Sequence, residues 1–208
     1  MNPSSLFILF AVFVYGCVHS LLATVATKAR VRRWFGPSVD RWYRLAYNMI
    51  GILTFLPILG LLALYPSETL YVIPAPLSYV TLAGQLLAVA ALLIGLLQTG
   101  MWSFLGFEQL LVQSVENEPQ MVTAGLYRWV RHPLYTAGLV FIWLTPVMTL
   151  NLLMLNLGLT IYLVVGALYE ERKLVREFGT VYLDYQQQTP MLIPLVRRPP
   201  KESNTTPK

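Results

Sequence analysis

Charged residues are scarce in this 208-residue chain: they make up 12% of it, whereas 56% is hydrophobic and the mean hydropathy is +0.57. A soluble domain carries roughly 25% charged residues, so this chain has too little polar surface to cover a water-soluble fold. The same composition excludes intrinsic disorder and a collagen-like structure. We therefore predict an integral membrane protein of the all-α class, with the lipid bilayer as its partner.

Cysteine and histidine are equally scarce, because Cys17 is the single cysteine and His19 and His132 are the two histidines. A lone cysteine excludes an internal disulfide and a cysteine-based metal site, and two histidines cannot complete a structural zinc site. We predict no metal site. The net charge of +5 would suggest nucleic acid in a soluble protein, but here the location of the charges matters more, and we expect no nucleic-acid partner.

Long charge-free stretches predict a bundle of five transmembrane helices, each long enough to cross a hydrocarbon core of ~30 Å. No charged residue lies between His132 and Tyr169, so this stretch is interpreted as a C-terminal helical hairpin with Asn151 and Asn156 at its turn. One domain is expected over 1–196 and a disordered tail over 197–208. The predicted helices are near 6–26, 45–65, 77–98, 133–150 and 152–169, followed by a cytoplasmic helix over 169–188 that Gly179 interrupts.

The placement of charge predicts the topology. With five spans, all fifteen Lys and Arg residues lie on one face of the membrane, and Glu68 is the single acid on the other. Because cytoplasmic loops are enriched in Lys and Arg, the N-terminus is expected outside and the C-terminus in the cytoplasm, in a bacterial inner membrane. The alternative, a cleaved signal peptide, predicts basic residues before the first apolar segment, whereas here they follow it.

The segment 125–135 is the most informative part of the chain. Pro133 suits the first turn of a helix, which places His132 at its N-cap and Arg131 just outside. The free N–H groups of that turn, the helix dipole and Arg131 together predict an anion site for a carboxylate or a phosphate. The alternative is a loop that anchors to lipid headgroups.

Glu170 and Glu171 follow the fifth predicted span. Adjacent helical positions are about 100° apart, so one acid can face a site while the other meets a base or solvent. The alternative is a solvated helix end. Because a hairpin returns the fifth helix beside the fourth, Glu170 is expected near Arg131 and His132, and an acid facing an anion site suits a zwitterionic ligand.

These residues resemble the membrane methyltransferases, which include isoprenylcysteine carboxyl methyltransferases, phospholipid N-methyltransferases and bacterial methanethiol S-methyltransferases. Residues 15–20, 104–109, 146–149 and 190–194 are most similar to the methanethiol-type branch. The shared pattern consists of Gly125, Tyr127, Arg131, His132, Pro133 and Tyr135, then Glu170, Glu171 and Leu174, then Phe178, Gly179, Tyr182 and Tyr185, and finally Pro190 and Pro194.

The resemblance implies S-adenosylmethionine as the methyl donor in a cytoplasmic cofactor pocket, and a small or lipophilic methyl acceptor, with a thiol favoured. It implies Arg131 and His132 as catalytic residues, and it adds Gln113 and Gln120 as further candidates for binding the donor. The implied cofactor-binding residues are Gly125, Tyr127, Arg131, His132, Pro133, Leu134, Tyr135, Glu170 and Glu171.

Three other readings stay open at this point. The chain also resembles haem-binding NnrU-type proteins and carotene isomerases, in which His19 and His132 would be axial ligands. The acceptor of a methyltransferase could instead be a phospholipid or an isoprenylcysteine, and a non-catalytic membrane scaffold is the third reading. His19 itself is interpreted either as a structural residue bonded to a neighbouring helix or as part of an acceptor site.

Overall fold

A computed structural model describes residues 3–111 and 121–194. Gln113, Gln120 and the tail 197–208 lie outside the described residues. The nine described α-helices are α1 (Pro3–Ala23), α2 (Val25–Phe35), α3 (Val39–Leu64), α4 (Leu77–Gln98), α5 (Met101–Leu105), α6 (Glu108–Leu111), α7 (Pro133–Trp143), α8 (Leu150–Phe178) and α9 (Thr180–Gln188). A 3₁₀ turn covers Gly125–Arg128, and two short strands, β1 (Thr69–Val72) and β2 (Val147–Thr149), complete the described elements.

Four helices, α1, α3, α4 and α8, are apolar and long enough to cross a membrane. They contain 21, 26, 22 and 29 residues, which at the α-helical rise gives lengths of about 32 to 44 Å. The predicted all-α membrane bundle is therefore confirmed. The charge-free part of α8 ends at Tyr169, and its last two turns, which begin with Glu170 and Glu171, extend beyond the membrane-spanning part.

The fourth predicted helix, 133–150, is shorter than expected, because α7 ends at Trp143. Pro146 follows within three residues, and β2 then pairs antiparallel with β1, while the Pro146 carbonyl accepts a hydrogen bond of 2.8 Å from the Ile73 amide. The turn of the hairpin therefore lies at 144–149 and not at Asn151 and Asn156. Both asparagines are buried inside α8, where the Asn151 side chain bonds Ser5 and the Tyr65 carbonyl.

Small residues allow the helices to approach closely. α1 packs against α3 and α8 around a core formed by Ile8, Val12, Ile58 and Leu155. A Cβ atom at Gly158 would lie 2.8 Å from Val12, and one at Gly95 would lie 2.8 Å from Leu134 on α7. A larger residue at either crossing would have to displace the facing side chain.

The two ends of the bundle differ in charge. The end with the β1–β2 sheet includes Glu68, whose carbonyl accepts from the Leu150 amide. The other end holds α2, the start of α3, α5, the 3₁₀ turn and the start of α7, and there Arg44 donates to the Ser103 carbonyl at 2.8 Å. The described basic residues lie at this second end. Which end faces the cytoplasm stays a prediction from the charge rule.

The chain closes this second end with a sharp turn and an extended segment. Gly179, with a φ of +59°, separates α8 from α9. After α9 ends at Gln188, the carbonyls of Pro190 and Met191 accept hydrogen bonds from the amides of Arg131 and His132, at 2.9 and 3.1 Å. The C-terminal segment thereby holds the start of α7.

Candidate active site

Glu171 is the centre of a buried polar cluster at the charged end of the bundle. Its carboxylate accepts two hydrogen bonds from Arg131 and one from His132, each 2.8 Å long, and one from Tyr182 of 2.7 Å. The Gln186 amide donates a fifth. Because these donors occupy both carboxylate oxygens and the residue is 6% exposed, Glu171 has no capacity left for a ligand.

Arg131 also has most of its donors bonded to the protein. Besides the two bonds to Glu171, it donates to the carbonyls of Gln186, at 3.2 Å, and Thr189. Four of its five N–H groups therefore have protein acceptors, and its side chain is 10% exposed. The sequence-based prediction that Arg131 holds an anion has no support in this geometry. Arg131, which stands just before α7, instead links that helix to Glu171 on α8 and to the chain around the end of α9.

The charges of this cluster shift the pKa values of Glu171 and His132. Burial favours the neutral form of Glu171, but the hydrogen bonds from Arg131, Tyr182, Gln186 and His132 outweigh burial and hold the pKa of the carboxyl at about 2. Burial also opposes the charged form of His132, yet the hydrogen bonds and negative charges of Glu170 and Glu171 outweigh it and raise the pKa of the imidazole. The cluster therefore holds a carboxylate between an arginine and a histidine that favours its cationic form.

Glu170 differs from its neighbour because its side chain is 45% exposed. One oxygen, Oε2, accepts a 2.9 Å hydrogen bond from the Tyr135 hydroxyl and lies 3.5 Å from His132 Nδ1. Among the described residues, no donor contacts Oε1. Although burial works in the opposite direction, the contacts with His132 and Tyr135 lower the pKa of Glu170, so this half-exposed group is a carboxylate with one free oxygen.

Two aromatic residues lie beside Glu170. The rings of His132 and Tyr135 are stacked, with centroids 5.3 Å apart and an interplanar angle of 7°. Tyr127 stands in the 3₁₀ turn that precedes α7, and burial and, next, the negative charge of Glu170 raise its pKa to about 12. The corner formed by Glu170, His132, Tyr135 and Tyr127 is the candidate ligand site.

The other predicted site residues have structural contacts. Gly125 has a φ of +62°, and a Cβ there would clash with the Gln98 side-chain amide. The oxygen of that amide accepts a hydrogen bond of 3.2 Å from the Leu126 backbone amide. Pro133 is buried in the first turn of α7, with His132 at the N-cap as predicted. Leu134 packs against Gly95 on α4. These residues shape the corner, but their contacts with protein atoms do not depend on a ligand.

Sequence reasoning did not assign Tyr182, Gln186 and Gln98 to the site. Tyr182 stands in the matched motif, and Gln186 is one helical turn further along α9, so that both face Glu171. This i, i+4 spacing could have indicated, from the sequence, that Tyr182 and Gln186 share one face of the helix. Gln98 is the last residue of α4, and its bond to the turn after Gly125 depends on a contact 28 residues away.

Comparison with known proteins identifies the class. Residues 79–185 match the phospholipid methyltransferase family, and this match covers more than half of the chain, from α4 to α9. The chain therefore belongs to this family, and the superfamily predicted from the sequence motifs is confirmed. The matched segment contains Arg131, His132, Glu170, Glu171 and Tyr182.

Within this class, the chain is similar to methanethiol S-methyltransferases. It is 46% identical over 72 residues to methanethiol S-methyltransferase 2 of Bradyrhizobium diazoefficiens, which is 35% of this chain and 28% of that protein. The enzymes of Pseudomonas deceptionensis and Mycobacterium tuberculosis are 45% identical over 78 residues and 42% over 73, each over 30% of their own length. The aligned part thus spans less than a third of these relatives. No solved structure is significantly similar to the chain.

Proposed function

We propose that this protein is a membrane methyltransferase that transfers the methyl group of S-adenosylmethionine to a thiol. The observation that supports this most is the contrast between the adjacent acids. Glu171 is saturated by protein donors, whereas Glu170 presents a free carboxylate oxygen beside two aromatic rings. Both acids lie in the segment that matches the methyltransferase family.

The residues of the corner suit the chemistry of the donor. S-adenosylmethionine carries an ammonium group, ribose hydroxyls and a sulfonium, and when bound it supplies an already activated methyl group. The free oxygen of Glu170 can accept a hydrogen bond from the ammonium or a hydroxyl, and the faces of Tyr127 and Tyr135 can interact with a cation. No side chain caps the start of α7, so the amides of Leu134 and Tyr135, which follow Pro133, can donate to a carboxylate.

Arg131 and His132 take positioning roles in this proposal. The sequence implied both as catalytic, but Arg131 is bonded to Glu171 and to two carbonyls. His132 donates from Nε2 to Glu171 and faces Glu170 with Nδ1. Methyl displacement requires alignment and partial exclusion of water more than proton transfer. The buried cluster supplies the alignment by fixing the residues around Glu170.

The thiol acceptor is supported by the relatives, which carry the name methanethiol S-methyltransferase. The acceptor is proposed to enter from the lipid and the donor from the cytoplasm, with the charged end of the bundle inside. The haem-binding alternative loses its support at His132, because both ring nitrogens of this histidine face glutamates. A buried imidazole in that arrangement has no nitrogen left for iron.

The test is donor binding by calorimetry with the purified protein in nanodiscs. We expect Glu170→Gln to weaken S-adenosylmethionine binding about tenfold or more, because a hydrogen bond to a charged group is worth about 1.5–3 kcal/mol. Glu177→Gln is the matched control, since Glu177 is an exposed acid on the same helix. Absence of donor binding by folded wild-type protein would refute the proposal.

The acceptor class is tested separately by methyl transfer from labelled donor. The acceptors are small thiols, phosphatidylethanolamine and a prenylcysteine, each supplied to the same nanodisc preparation. We expect label in the thiol product alone. Label in the phospholipid or the prenylcysteine would replace the thiol in the proposal without affecting the donor site.

A further inference from the structure

A second cluster of polar aromatic residues lies deeper in the bundle and is not used by the proposed donor site. It consists of His19 and Tyr15 on α1, Tyr47 on α3 and Tyr162 on α8. The His19 ring lies 4.3 Å from the Tyr47 ring, 5.5 Å from the stacked Tyr15 ring and 6.2 Å from the edge-on Tyr162 ring, measured between centroids. All four side chains are half-buried.

Glycines hold this ring cluster in place. A Cβ atom at Gly51 on α3 would lie 2.8 Å from Cε1 of His19, and a Cβ at Gly16 would lie 3.0 Å from Tyr162. Larger residues at either position would displace a ring. The three helices therefore meet with their backbones close together at the level of the cluster.

The His19–Tyr47 pair has one hydrogen-bond donor too many. The Tyr47 hydroxyl and His19 Nε2 are hydrogen-bonded, and a neutral pair carries two polar hydrogens, of which one lies in that bond. His19 Nδ1 is buried and has no hydrogen-bond partner among the described residues. In either tautomer, Nδ1–H or the Tyr47 O–H has no acceptor. An unpaired donor at membrane depth is costly, so this pair indicates a ligand with an acceptor atom.

The ring cluster and the candidate ligand site share helix α8, which carries both Tyr162 and Glu170. Tyr162 precedes Glu170 by eight residues on α8, which is about 12 Å along the helix. Tyr135, whose hydroxyl bonds Glu170, lies on α7, which packs against α8. A ligand at the ring cluster would therefore lie about 12 Å along α8 from a donor group held at Glu170.

We infer that the ring cluster is the methyl-acceptor site and that it accepts a small neutral thiol. This inference rests on the proposed function. Sulfur contacts aromatic rings favourably, and the four cluster residues carry no charged side chain that would bind a phosphate headgroup. The spare polar hydrogen of the His19–Tyr47 pair would bond the sulfur and favour its thiolate.

The step is a simple displacement. The thiol proton is released to water, a new bond forms between the acceptor sulfur and the methyl carbon, and the bond between that carbon and the sulfonium breaks. The tautomer of His19 decides which residue touches the acceptor: Tyr47 does so through its O–H in the Nε2–H tautomer, and His19 does so through Nδ1–H in the other, while the second residue of the pair positions the first.

Acceptor binding is measured first, without any donor, by fluorine NMR titration of 2,2,2-trifluoroethanethiol into protein in nanodiscs. We expect Tyr47→Phe, which keeps the ring, to weaken thiol binding about threefold to tenfold, the value of one hydrogen bond. The control Tyr79→Phe removes an exposed hydroxyl from the span α4 and should change nothing. His19→Phe should weaken thiol binding as Tyr47→Phe does.

Donor affinity, measured by calorimetry on the same variants, separates this inference from the proposed function. Unchanged S-adenosylmethionine affinity in Tyr47→Phe together with weaker thiol binding would support the acceptor site. The inference is overturned if wild-type protein binds no thiol, if Tyr47→Phe binds it as wild type does, or if donor and thiol affinities fall together. If the wild-type protein binds no donor, the proposed function is overturned. The thiol titration would still decide whether the ring cluster binds a thiol.

Discussion

The substitution Glu171→Gln removes one charge from the centre of the buried polar cluster that adjoins the candidate ligand site. Glutamine keeps nearly the same volume and one acceptor oxygen, but its amide group presents hydrogens where a carboxylate oxygen stood. Arg131, whose side chain is 10% exposed, then has no counter-charge. Arg131 Nε and Nη2 bond different carboxylate oxygens, so one of these two donors faces an amide hydrogen whichever oxygen is replaced.

The expected cost follows from burial. Removing one partner of a buried, hydrogen-bonded ion pair costs about 3–5 kcal/mol, because the other charge is left without compensation. The surface pair of Arg32 and Asp40, with 58% and 30% of the side chains exposed, should be worth no more than about 1 kcal/mol. For a chain of this length each kcal/mol corresponds to about 2–4 °C, so the Tm of Glu171→Gln should fall by on the order of 10 °C.

The measurement is thermal unfolding of purified variants in one detergent, followed by tryptophan fluorescence. Glu177→Gln on the exposed end of α8 is the matched control, and Asp40→Asn reports the surface pair. The double variant Arg131→Gln, Glu171→Gln should be less destabilised than the sum of the single variants, because it leaves no unpaired charge.

The result that refutes this reasoning is a Tm of Glu171→Gln equal to that of Glu177→Gln, combined with loss of donor binding. Glu171 would then be a ligand-binding residue and not the structural centre of the buried polar cluster. The assignment of the free carboxylate to Glu170 would be wrong as well.

Two further predictions concern stability. The lowered pKa of Glu171, about 2 against an ordinary 4.5, adds stability that is present above pH 4.5 and lost towards pH 2. The raised pKa of His132 adds stability that is complete below its ordinary 6.5 and lost as the pH rises through the raised value. Tm measured from pH 4 to 9 should therefore be highest between about 4.5 and 6.5, and His132→Gln should abolish the alkaline decrease; an unchanged alkaline slope in that variant would contradict it. Gly125→Ala should cost about 1–2 kcal/mol for its left-handed φ and more for displacing Gln98 from the Leu126 amide. Chemical unfolding should show that Gln98→Ala removes the second part but not the first, and equal costs of Gly125→Ala in both backgrounds would argue against the clash.

Two features were predictable from local sequence: that the protein is a membrane protein, and that Arg131 and His132 lie close to Glu170 and Glu171. A shortage of charge indicated the bilayer, and a proline after His132 indicated a helix start, which the structure has. The charge-free stretch before Glu170 indicated a hairpin, and a hairpin brings Glu170 and Glu171 back to the level of Arg131. Each of these inferences depends on residue spacing along one helix or across one turn.

Two other features depend on partners distant in the chain and could not be read from spacing. Pro146 is a local signal for a helix end near Trp143, but the strand that follows depends on the pairing of β2 with β1, whose residues lie more than 70 positions earlier. The segment after Trp143 is as free of charge as a helix in the membrane would be. Likewise, Arg131 donates hydrogen bonds to the backbone carbonyls of Gln186 and Thr189. Because every residue type has a backbone carbonyl, these acceptors leave no mark in the sequence.

The division between Glu170 and Glu171 has a geometric cause. Because neighbouring residues on a helix point about 100° apart, Glu171 faces α9 and the start of α7, and Glu170 faces Tyr135. His132 contacts both acids, with Nε2 at 2.8 Å from Glu171 and Nδ1 at 3.5 Å from Glu170. Glu171 thus fixes the His132 ring, which lies beside Glu170. Substitutions of Glu171 should therefore alter donor binding through the position of His132. A double variant of Glu171 and His132 should then lose no more donor affinity than the worse single variant, whereas independent ligand contacts would give additive losses.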